Sequence, residues 1–374
     1  MIVRFIEEEI LRSIKSAKVV GLFGARRVGK TVLMNSIKNK LSNNNTLLVQ
    51  GDNLDVAEIL SSQRLSVLKK LVTGYDCLFI DEAQKIPNIG QSLKLLVDSV
   101  PELKIFITGS SALELRNKVG EPLTGRSKYF YLHPICFSEL HEDFLTFKEK
   151  LEEKLVFGCY PSVITSQTSK DKIDELESVR NGYLLKDILE LDNQKDSTFI
   201  LKLLRLIAFQ IGNDVSFSEL AMQLNVNGKT VQRYLDILEK SYVIFSLSGF
   251  SRNLRKEYSK SPRFYFWDNG IRNSVINNYN PLASRDDAGK LWENYCASEK
   301  LKSAGYKQLQ ANYYFWRTYD QQEIDLIEEI SGQLYAYEFK YSIAKTAKTP
   351  AAFKNAYPDA KFHVVNPDNF SDYV

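Results

Sequence analysis

A run of eight residues near the amino terminus has the residue types that bind a chain of phosphates. The run has the spacing G-x-x-x-x-G-K-[ST] and consists of Gly24, Ala25, Arg26, Arg27, Val28, Gly29, Lys30 and Thr31. The two glycines let the backbone curl so that N–H groups point at phosphate oxygens. Lys30 would reach the β- and γ-phosphates, Thr31 would take one position around Mg²⁺, and the two arginines would neutralise further charge. We therefore predict a site for ATP and Mg²⁺; the alternative is a glycine-containing turn before a helix.

Acidic and hydroxyl side chains end two further apolar runs of the sequence. One run ends in Asp81 and Glu82, and the other ends in Thr108, Gly109 and Ser110. An Asp at such a position suits an outer contact to Mg²⁺, and the Glu after it suits a general base that polarises the attacking water. We expect Thr108 or Ser110 to hydrogen-bond the γ-phosphate or that water. The alternatives are two acids that cap the next helix and hydroxyls that merely end a strand.

Carboxylates also face each other near the carboxyl end of the sequence. Two strand patterns, 323–330 and 333–340, are separated by the two residues of a hairpin turn. Pairing residues whose numbers sum to 663 puts Asp325 opposite Glu338 and leaves Lys340 on the same face. The side chains expected to build a core on the other face are Ile324, Leu326, Tyr337 and Phe339. Facing carboxylates repel unless a cation lies between them, and Mg²⁺ or Mn²⁺ is the natural candidate.

Strands and helices in a regular order must position the first set of groups. The apolar run at 19–23 leads into the glycine loop, and apolar residues at helical spacing follow the loop. Apolar runs at 77–80 and 104–107 have the length of buried parallel strands. We predict a parallel-sheet α/β domain over residues 1–135 and a helical lid or linker over residues 136–192.

A helix-turn-helix pattern follows this region. Residues 216–224 and 229–238 form two short amphipathic helices, and the second directs Lys229 and Arg233 outward. Strands at 242–247 and 263–267 would form a wing whose basic tip contains Arg252, Arg255, Lys256, Lys260 and Arg263. We predict a winged-helix domain over residues 193–270 that contacts double-stranded DNA through the helix and the wing. The alternative is a winged helix that contacts other subunits or a protein partner.

The first motifs resemble those of the AAA+ superfamily, with Walker A at 24–31, Walker B at 77–82 and a sensor-1-like strand at 104–111. They are most similar to a prokaryotic group of AAA-type ATPases that are fused to an uncharacterised carboxyl-terminal region. The group's I-D-E-[AI]-Q element matches Ile80–Gln84, and its L-x-G-R element matches Leu123–Arg126. The resemblance implies ATP hydrolysis and a homo-oligomer in which Arg126 acts as an arginine finger on the neighbouring subunit. An ordinary surface arginine is the alternative.

The last strands resemble the PD-(D/E)xK nuclease fold. Asp325 precedes an E-x-K element formed by Glu338 and Lys340, and Glu293 on an earlier helix matches the usual extra acid. The resemblance implies a nuclease-like α/β domain over residues 271–374, in which Glu293, Asp325 and Glu338 ligate the metal and Lys340 assists catalysis. The alternatives are a solvated hairpin face and a degenerate nuclease fold kept for structure.

Composition excludes several classes of protein. The 374 residues are 44% hydrophobic and 25% charged, which rules out a disordered chain, a collagen-like repeat and a coiled-coil rod. The sequence has no run of about 20 apolar residues, so we expect no membrane span and no membrane partner. The four cysteines are far apart, which favours reduced thiols in a cytoplasmic protein over a disulfide framework or a zinc site. The net charge of only +3 means that DNA contacts must come from local patches.

The sequence as a whole therefore predicts a multidomain α/β protein in which the ATP state controls DNA engagement or cleavage by the nuclease-like domain. A nucleotide-driven protein interaction switch, with a nuclease-like domain that does not cut, is the alternative.

Overall fold

Two units make up the part of the chain that the computed structural model describes, which is residues 2–41, 43–110, 123, 125–184, 197–252, 261–344 and 347–374. The division falls between Met1–His133 and Pro134–Val374. The finer boundaries expected at 192/193 and 270/271 stay predictions.

The first unit is a parallel sheet with its helices. The strands are β1 (Val19–Phe23), β2 (Thr46–Gln50), β3 (Cys77–Asp81), β4 (Lys104–Gly109) and β5 (Ser127–Tyr131). The helices described in this unit are α1 (Glu7–Ser16), α2 (Lys30–Lys40), α3 (Leu54–Ser61), α4 (Leu65–Val72) and α5 (Ile89–Ser99), with a 3₁₀ turn at Ala83–Lys85. The strand order is β2-β3-β4-β1-β5, and all neighbours are parallel.

This order brings the predicted functional groups to one edge. β1 and β3 are buried along their whole length, as their apolar runs predict. The glycine loop follows β1, Glu82 follows β3, and Ser110 follows β4. Because β1, β3 and β4 are neighbours and run the same way, their carboxyl ends meet at the same edge of the sheet.

The second unit contains a mixed sheet, and helices precede, separate and follow its strands along the chain. Its strands are β6 (Ile244–Gly249), β7 (Arg263–Phe266), β8 (Asn312–Arg317), β9 (Glu323–Ile330), β10 (Gln333–Phe339) and β11 (Lys361–Val365), in the order β11-β10-β9-β8-β6-β7. The helices described here are α6 (Phe137–Leu140), α7 (Phe144–Phe157), α8 (Pro161–Thr165), α9 (Ser169–Val179), α10 (Ser197–Phe209), α11 (Phe217–Leu224), α12 (Gly228–Lys240), α13 (Asn269–Ile276), α14 (Ala288–Tyr306), α15 (Ala351–Ala356) and α16 (Phe370–Tyr373). A π-helical turn at Arg180–Leu184 and a 3₁₀ turn at Leu282–Ser284 complete the described helical segments. Among the helices in these ranges, none has the length and apolar character needed to cross a membrane.

The two strands predicted as a wing pair antiparallel, as expected, but they are not a separate hairpin. β6 also runs parallel to β8, with Ser248 opposite Tyr314 and Gly249 opposite Phe315. This pairing satisfies backbone groups that would otherwise be open at the edge of β6. The predicted wing and the predicted nuclease-like strands therefore share one sheet.

β9 and β10 pair in the predicted register. The residue numbers of every pair in this ladder sum to 663, and the ladder ends with Tyr337 opposite Leu326. The next positions along the two strands are Asp325 and Glu338. The two-residue turn therefore sets the register that brings these carboxylates to neighbouring strands.

The predicted alternation of faces is wrong at Ile324. Two steps along β8, from Tyr314 to Trp316, correspond to three steps along β9, from Ile327 to Ile324. Ile324 packs in the same apolar cluster as Ile327 and Ala336. One extra residue in a strand reverses the alternation of its side chains. Ile324 therefore shares a face with Ile327 and not, as predicted, with Leu326.

Candidate functional site

The glycine loop leaves β1 at a position where only glycine fits. Gly24 has a φ of +151°, and a Cβ added there would lie 2.0 Å from the carbonyl oxygen of Leu132. The Leu132 amide donates to the carbonyl oxygen of Phe23 at 2.7 Å. The loop ends at Gly29, and α2 begins directly after it. The amino terminus of α2 therefore faces the loop, where free N–H groups favour an anion.

Lys30 lies inside this loop. Its side chain is buried, and its Nζ donates to the carbonyl oxygens of Gly24 and Ala25, each at 2.9 Å. Arg26 is half-buried and Arg27 is exposed. The ammonium group is thus held within the concave backbone that is predicted to bind phosphates.

Arg4 also supports the loop, and its role was not predicted. The buried guanidinium donates to the carbonyl oxygen of Val28 at 2.6 Å and to that of His133 at 2.7 Å. These contacts join the start of the chain to the loop and to the segment after β5. The sequence carries no pattern around Arg4 that indicates this role.

Asp81 connects two threonine hydroxyls at the same edge. Thr31 donates to Oδ2 of Asp81 at 2.8 Å, and Thr108 donates to Oδ1. Asp81 is buried, whereas Thr31 is exposed at the start of α2. Hydroxyl and carboxylate oxygens are ligands that Mg²⁺ prefers, so these residues fit a magnesium ion beside the loop.

Glu82 is held by its backbone and by its side chain. Its φ of +54° is uncommon for a residue with a side chain, and its amide donates to Thr108 Oγ1 at 3.1 Å. Its carboxylate accepts from Nε2 of Gln84, which also donates to Ser110 Oγ at 3.1 Å. The structure therefore brings together at this edge the four acidic and hydroxyl residues that were predicted there, Asp81, Glu82, Thr108 and Ser110. Their catalytic roles stay predictions.

Arg126 lies at the opposite edge of the same sheet. It directly precedes β5, whose first residue is opposite the first residue of β1, and it forms an ion pair with Asp98. The five residues of β1 span about 13 Å, so that edge is at least this far from the glycine loop. Arg126 therefore does not join the phosphate site within its own chain, and its role as a finger in a neighbouring subunit stays a prediction.

The three predicted metal-binding carboxylates of the second unit each accept a hydrogen bond or form an ion pair within the chain. Asp325 Oδ2 accepts from the amide of Phe339 at 2.8 Å, and Glu338 Oε1 lies 2.6 Å from Nζ of Lys340. Glu293 Oε2 lies 2.9 Å from Nζ of Lys290. In the part of the chain that is described, no three His, Cys, Asp or Glu side chains are arranged to hold a metal ion. Metal binding by these carboxylates stays a prediction.

The same carboxylates influence one another's protonation. Burial raises the pKa of Asp325 well above its usual value, and the charges of Glu293 and Glu338 raise it further. Burial also raises the pKa of Glu338, although the adjacent Lys340 opposes this shift. Glu338 in turn holds the pKa of Lys340 above its usual value in spite of burial. The neighbouring carboxylates therefore disfavour the ionised form of Asp325, in the direction that the hairpin register predicts.

Two residues of β7 contact acidic side chains of the second unit in roles that the sequence did not predict. Tyr265 donates its hydroxyl hydrogen to Glu293 Oε1 at 2.8 Å. Arg263 was expected at an exposed wing tip, but it is 1% exposed and lies between Asp214 and Glu323, at 2.8 and 2.9 Å. Its two carboxylate partners offset the cost of burying the guanidinium. The burial of Arg263 corrects its assignment to a DNA-binding tip.

The predicted DNA-binding side chains are only partly described. α12 buries Val231 and Leu235 and exposes Lys229 and Arg233, as its periodicity predicts. Arg252 is also exposed, and its guanidinium lies over the ring of Tyr357. Arg255, Lys256 and Lys260 lie outside the described residues. The winged-helix interpretation and its DNA contacts stay predictions.

The raised pKa of Asp325 gives a pH-dependent contribution to stability. A carboxyl group whose pKa is higher in the folded state stabilises the fold below about pH 4 and loses that contribution as the pH rises through the raised value. We expect Asp325→Asn, which keeps an oxygen for the Phe339 amide, to raise the melting temperature by about 3 °C or more at pH 8. At pH 5 the gain should be smaller, because the wild-type carboxyl is then closer to neutral.

Thermal unfolding of both proteins at the two pH values measures this difference. The exposed Asp320→Asn serves as the matched control and should show no such pH dependence. A gain at pH 8 that is no larger than the gain at pH 5 would contradict the predicted repulsion.

Three sequence families match successive parts of the chain. Residues 16–141 match the AAA domain family. Residues 148–282 match a domain of unknown function, DUF8612, and residues 288–372 match another, DUF4143. With the glycine loop and the Asp81 network at one edge of a parallel sheet, the match defines the first unit as an AAA-type P-loop ATPase domain.

Alignments with similar proteins cover most of the chain. An uncharacterized protein of Mycobacterium tuberculosis is 27% identical over 333 residues, covering 88% of this chain and 71% of that protein. An uncharacterized protein of Methanocaldococcus jannaschii is 25% identical over 375 aligned positions, covering 93% and 81%. Among solved structures, a Walker-type ATPase of Pyrococcus abyssi has a TM-score of 0.49 and 17% identity, and the match covers 74% of this chain and 96% of that one.

Proposed function

We propose that this protein binds ATP with Mg²⁺ and hydrolyses it at the carboxyl edge of the first sheet. The observation that carries the proposal is the hydrogen-bonded series from Thr31 through Asp81 and Thr108 to the amide of Glu82, directly beside the glycine loop. It joins the residues expected at the metal to the residue expected to act as base.

The side chains divide the work of hydrolysis. Loop N–H groups and Lys30 bind the phosphates, and Thr31 and Asp81 hold the metal. Mg²⁺, when bound, neutralises charge on the phosphate oxygens. Glu82 accepts a proton from the attacking water, and Thr108 and Ser110 orient the reacting groups through their hydroxyls. Positioning and electrostatic stabilisation therefore supply most of the rate enhancement.

Phosphate release from ATP by the purified full chain tests this proposal. We expect turnover with Mg²⁺ and none after the metal is chelated. If purified, folded protein binds ATP and Mg²⁺ but releases no phosphate, hydrolysis is not its function.

We further propose that the ATP state controls DNA engagement or cleavage by the second unit. This proposal is supported by the exposed Lys229 and Arg233 on α12, and by Asp325, Glu338 and Lys340 at the ends of two paired strands. Lys340 beside Glu338 could stabilise charge that develops on a phosphodiester during hydrolysis by water.

DNA cleavage is the corresponding prediction. Linear and circular double-stranded DNA should be cut in Mg²⁺ or Mn²⁺, and Asp325→Ala should lose at least about 100-fold in rate, because the buried carboxylate would be a metal ligand. Gel analysis with and without ATP shows whether nucleotide controls cutting, and the exposed Asp320→Ala is the matched control. Equal cutting by wild type and Asp325→Ala would rule out this site as the nuclease.

A protein interaction switch without cleavage is the second candidate. It is favoured by the contacts that already occupy the carboxylates, namely Tyr265 and Lys290 on Glu293 and the Phe339 amide on Asp325. Intact ATP hydrolysis together with no cleavage in either metal would support this candidate over the nuclease.

A further inference from the structure

Gln84 lies between the two side chains that would act on the attacking water. Its Nε2 donates both to Oε2 of Glu82 and to Oγ of Ser110, the second contact at 3.1 Å. An ionised carboxylate can only accept hydrogen bonds, so the NH₂ end of the amide must face Glu82. Because Ser110 Oγ accepts from Gln84, its own hydrogen is directed elsewhere and can be donated to a phosphate oxygen.

Backbone contacts hold the segment from Asp81 to Lys85, which carries both Glu82 and Gln84, in a fixed conformation. A 3₁₀ turn follows Glu82, and the Lys85 amide donates to the Glu82 carbonyl oxygen at 3.0 Å. On the other side, the amide of Gly51 donates to the carbonyl oxygen of Asp81 at 2.7 Å. A Cβ at Gly51 would lie 2.4 Å from the Glu82 carbonyl oxygen, so this close approach requires glycine. The peptide that carries Glu82 is thus confined on both sides.

The other end of the Gln84 amide is buried without a partner. Its Oε1 is inaccessible to solvent and accepts no hydrogen bond from any described residue. A buried acceptor left in this way destabilises a fold, and such groups deserve a functional explanation. The two hydrogen bonds that Nε2 donates supply this explanation. An apolar side chain of similar size would leave no buried acceptor, but it could not donate to Glu82 and Ser110.

We infer that Gln84 is a positioning residue that keeps the Glu82 carboxylate oriented as the base and sets the direction of the Ser110 hydroxyl. This inference rests on the proposed ATP hydrolysis at the same edge. Without the amide, the Glu82 side chain could rotate, and a small misplacement of a base costs rate without weakening ATP binding. Gln84 does not itself contact the reacting atoms.

Gln84→Met tests the inference, because methionine has a similar length and no donor. We expect kcat for ATP hydrolysis to fall by about 10- to 100-fold while KM for ATP stays within about twofold. The matched control is Gln91→Met at an exposed position of α5, which should leave both constants unchanged.

Gln84→Glu supplies a readout that a merely structural residue would not give. When the introduced carboxyl group is protonated, its O–H can donate to the Glu82 carboxylate, whereas its ionised form can only accept. Activity of Gln84→Glu relative to wild type should therefore increase as the pH falls from about 8 to about 6, whereas Gln84→Met should show no recovery.

The outcomes separate this inference from the proposal beneath it. An active wild type with an unchanged kcat in Gln84→Met overturns the positioning role alone. Loss of ATP binding in both folded variants also overturns it, since the effect would then be structural. A wild type that binds but never hydrolyses ATP overturns the proposed ATPase function and this inference with it.

Discussion

Lys30→Ala is expected to abolish measurable ATP binding. The ammonium group lies within the glycine loop, where it donates to the carbonyl oxygens of Gly24 and Ala25 at 2.9 Å. Bound phosphates would bring several negative charges to this buried group, and charge-assisted hydrogen bonds are the strong ones. We expect the dissociation constant to rise by at least about 100-fold, which is about 3 kcal/mol.

Titration calorimetry with ATP and Mg²⁺ measures this effect directly. Lys38→Ala, on the same helix but in its last turn, is the matched control and should bind ATP like the wild type. Circular dichroism should show a folded Lys30→Ala protein, because Arg4 and the Gly24 backbone hold the loop independently of Lys30. A dissociation constant within about threefold of wild type would place the phosphates elsewhere.

Local patterns predicted the elements that carry the phosphate site. β1, β3 and β4 are apolar runs that end abruptly in glycine, acid or hydroxyl residues, and these changes mark strand ends. The two-residue turn between β9 and β10 predicted their register for the same reason, since it constrains only neighbouring residues. Short-range geometry was sufficient in each case.

Contacts between distant residues could not be predicted in this way. Arg4 donates to carbonyl groups 24 and 129 positions further along the chain, and no periodic pattern records such a contact. The pairing of β6 with β8 depends on which strand edge is free after the sheet assembles. The extra residue in β9 that places Ile324 on the other face is likewise defined only by the pairing of β9 with β8.

The acidic site shows how these two kinds of information combine. The hairpin placed Asp325 and Glu338, but Tyr265 reaches Glu293 from a strand that the sequence assigned to another domain, and Arg263 on the same strand pairs with Glu323. Their partners Glu293 and Glu323 lie 28 and 60 positions away. One residue of the predicted wing, Tyr265, is therefore a hydrogen-bond donor to a carboxylate of the predicted nuclease-like site.

Glu82→Gln is expected to preserve ATP binding and to block hydrolysis. Glutamine has nearly the same shape, and its side-chain oxygen can still accept from Nε2 of Gln84. The backbone at φ +54° and the amide contact to Thr108 do not depend on the charge. An amide, however, cannot take a proton from water, so we expect kcat to fall by about 10²- to 10⁴-fold.

Two measurements on the same preparation distinguish this result from misfolding. Calorimetry should give a dissociation constant for ATP within about threefold of wild type, while phosphate release should fall to background. Glu58→Gln, at an exposed position of α3, is the matched control and should hydrolyse ATP normally. Retained turnover in Glu82→Gln would mean that another group accepts the proton. Gln84 donates to both Glu82 and Ser110. If Glu82 is not the base, orienting its carboxylate cannot be the role of Gln84.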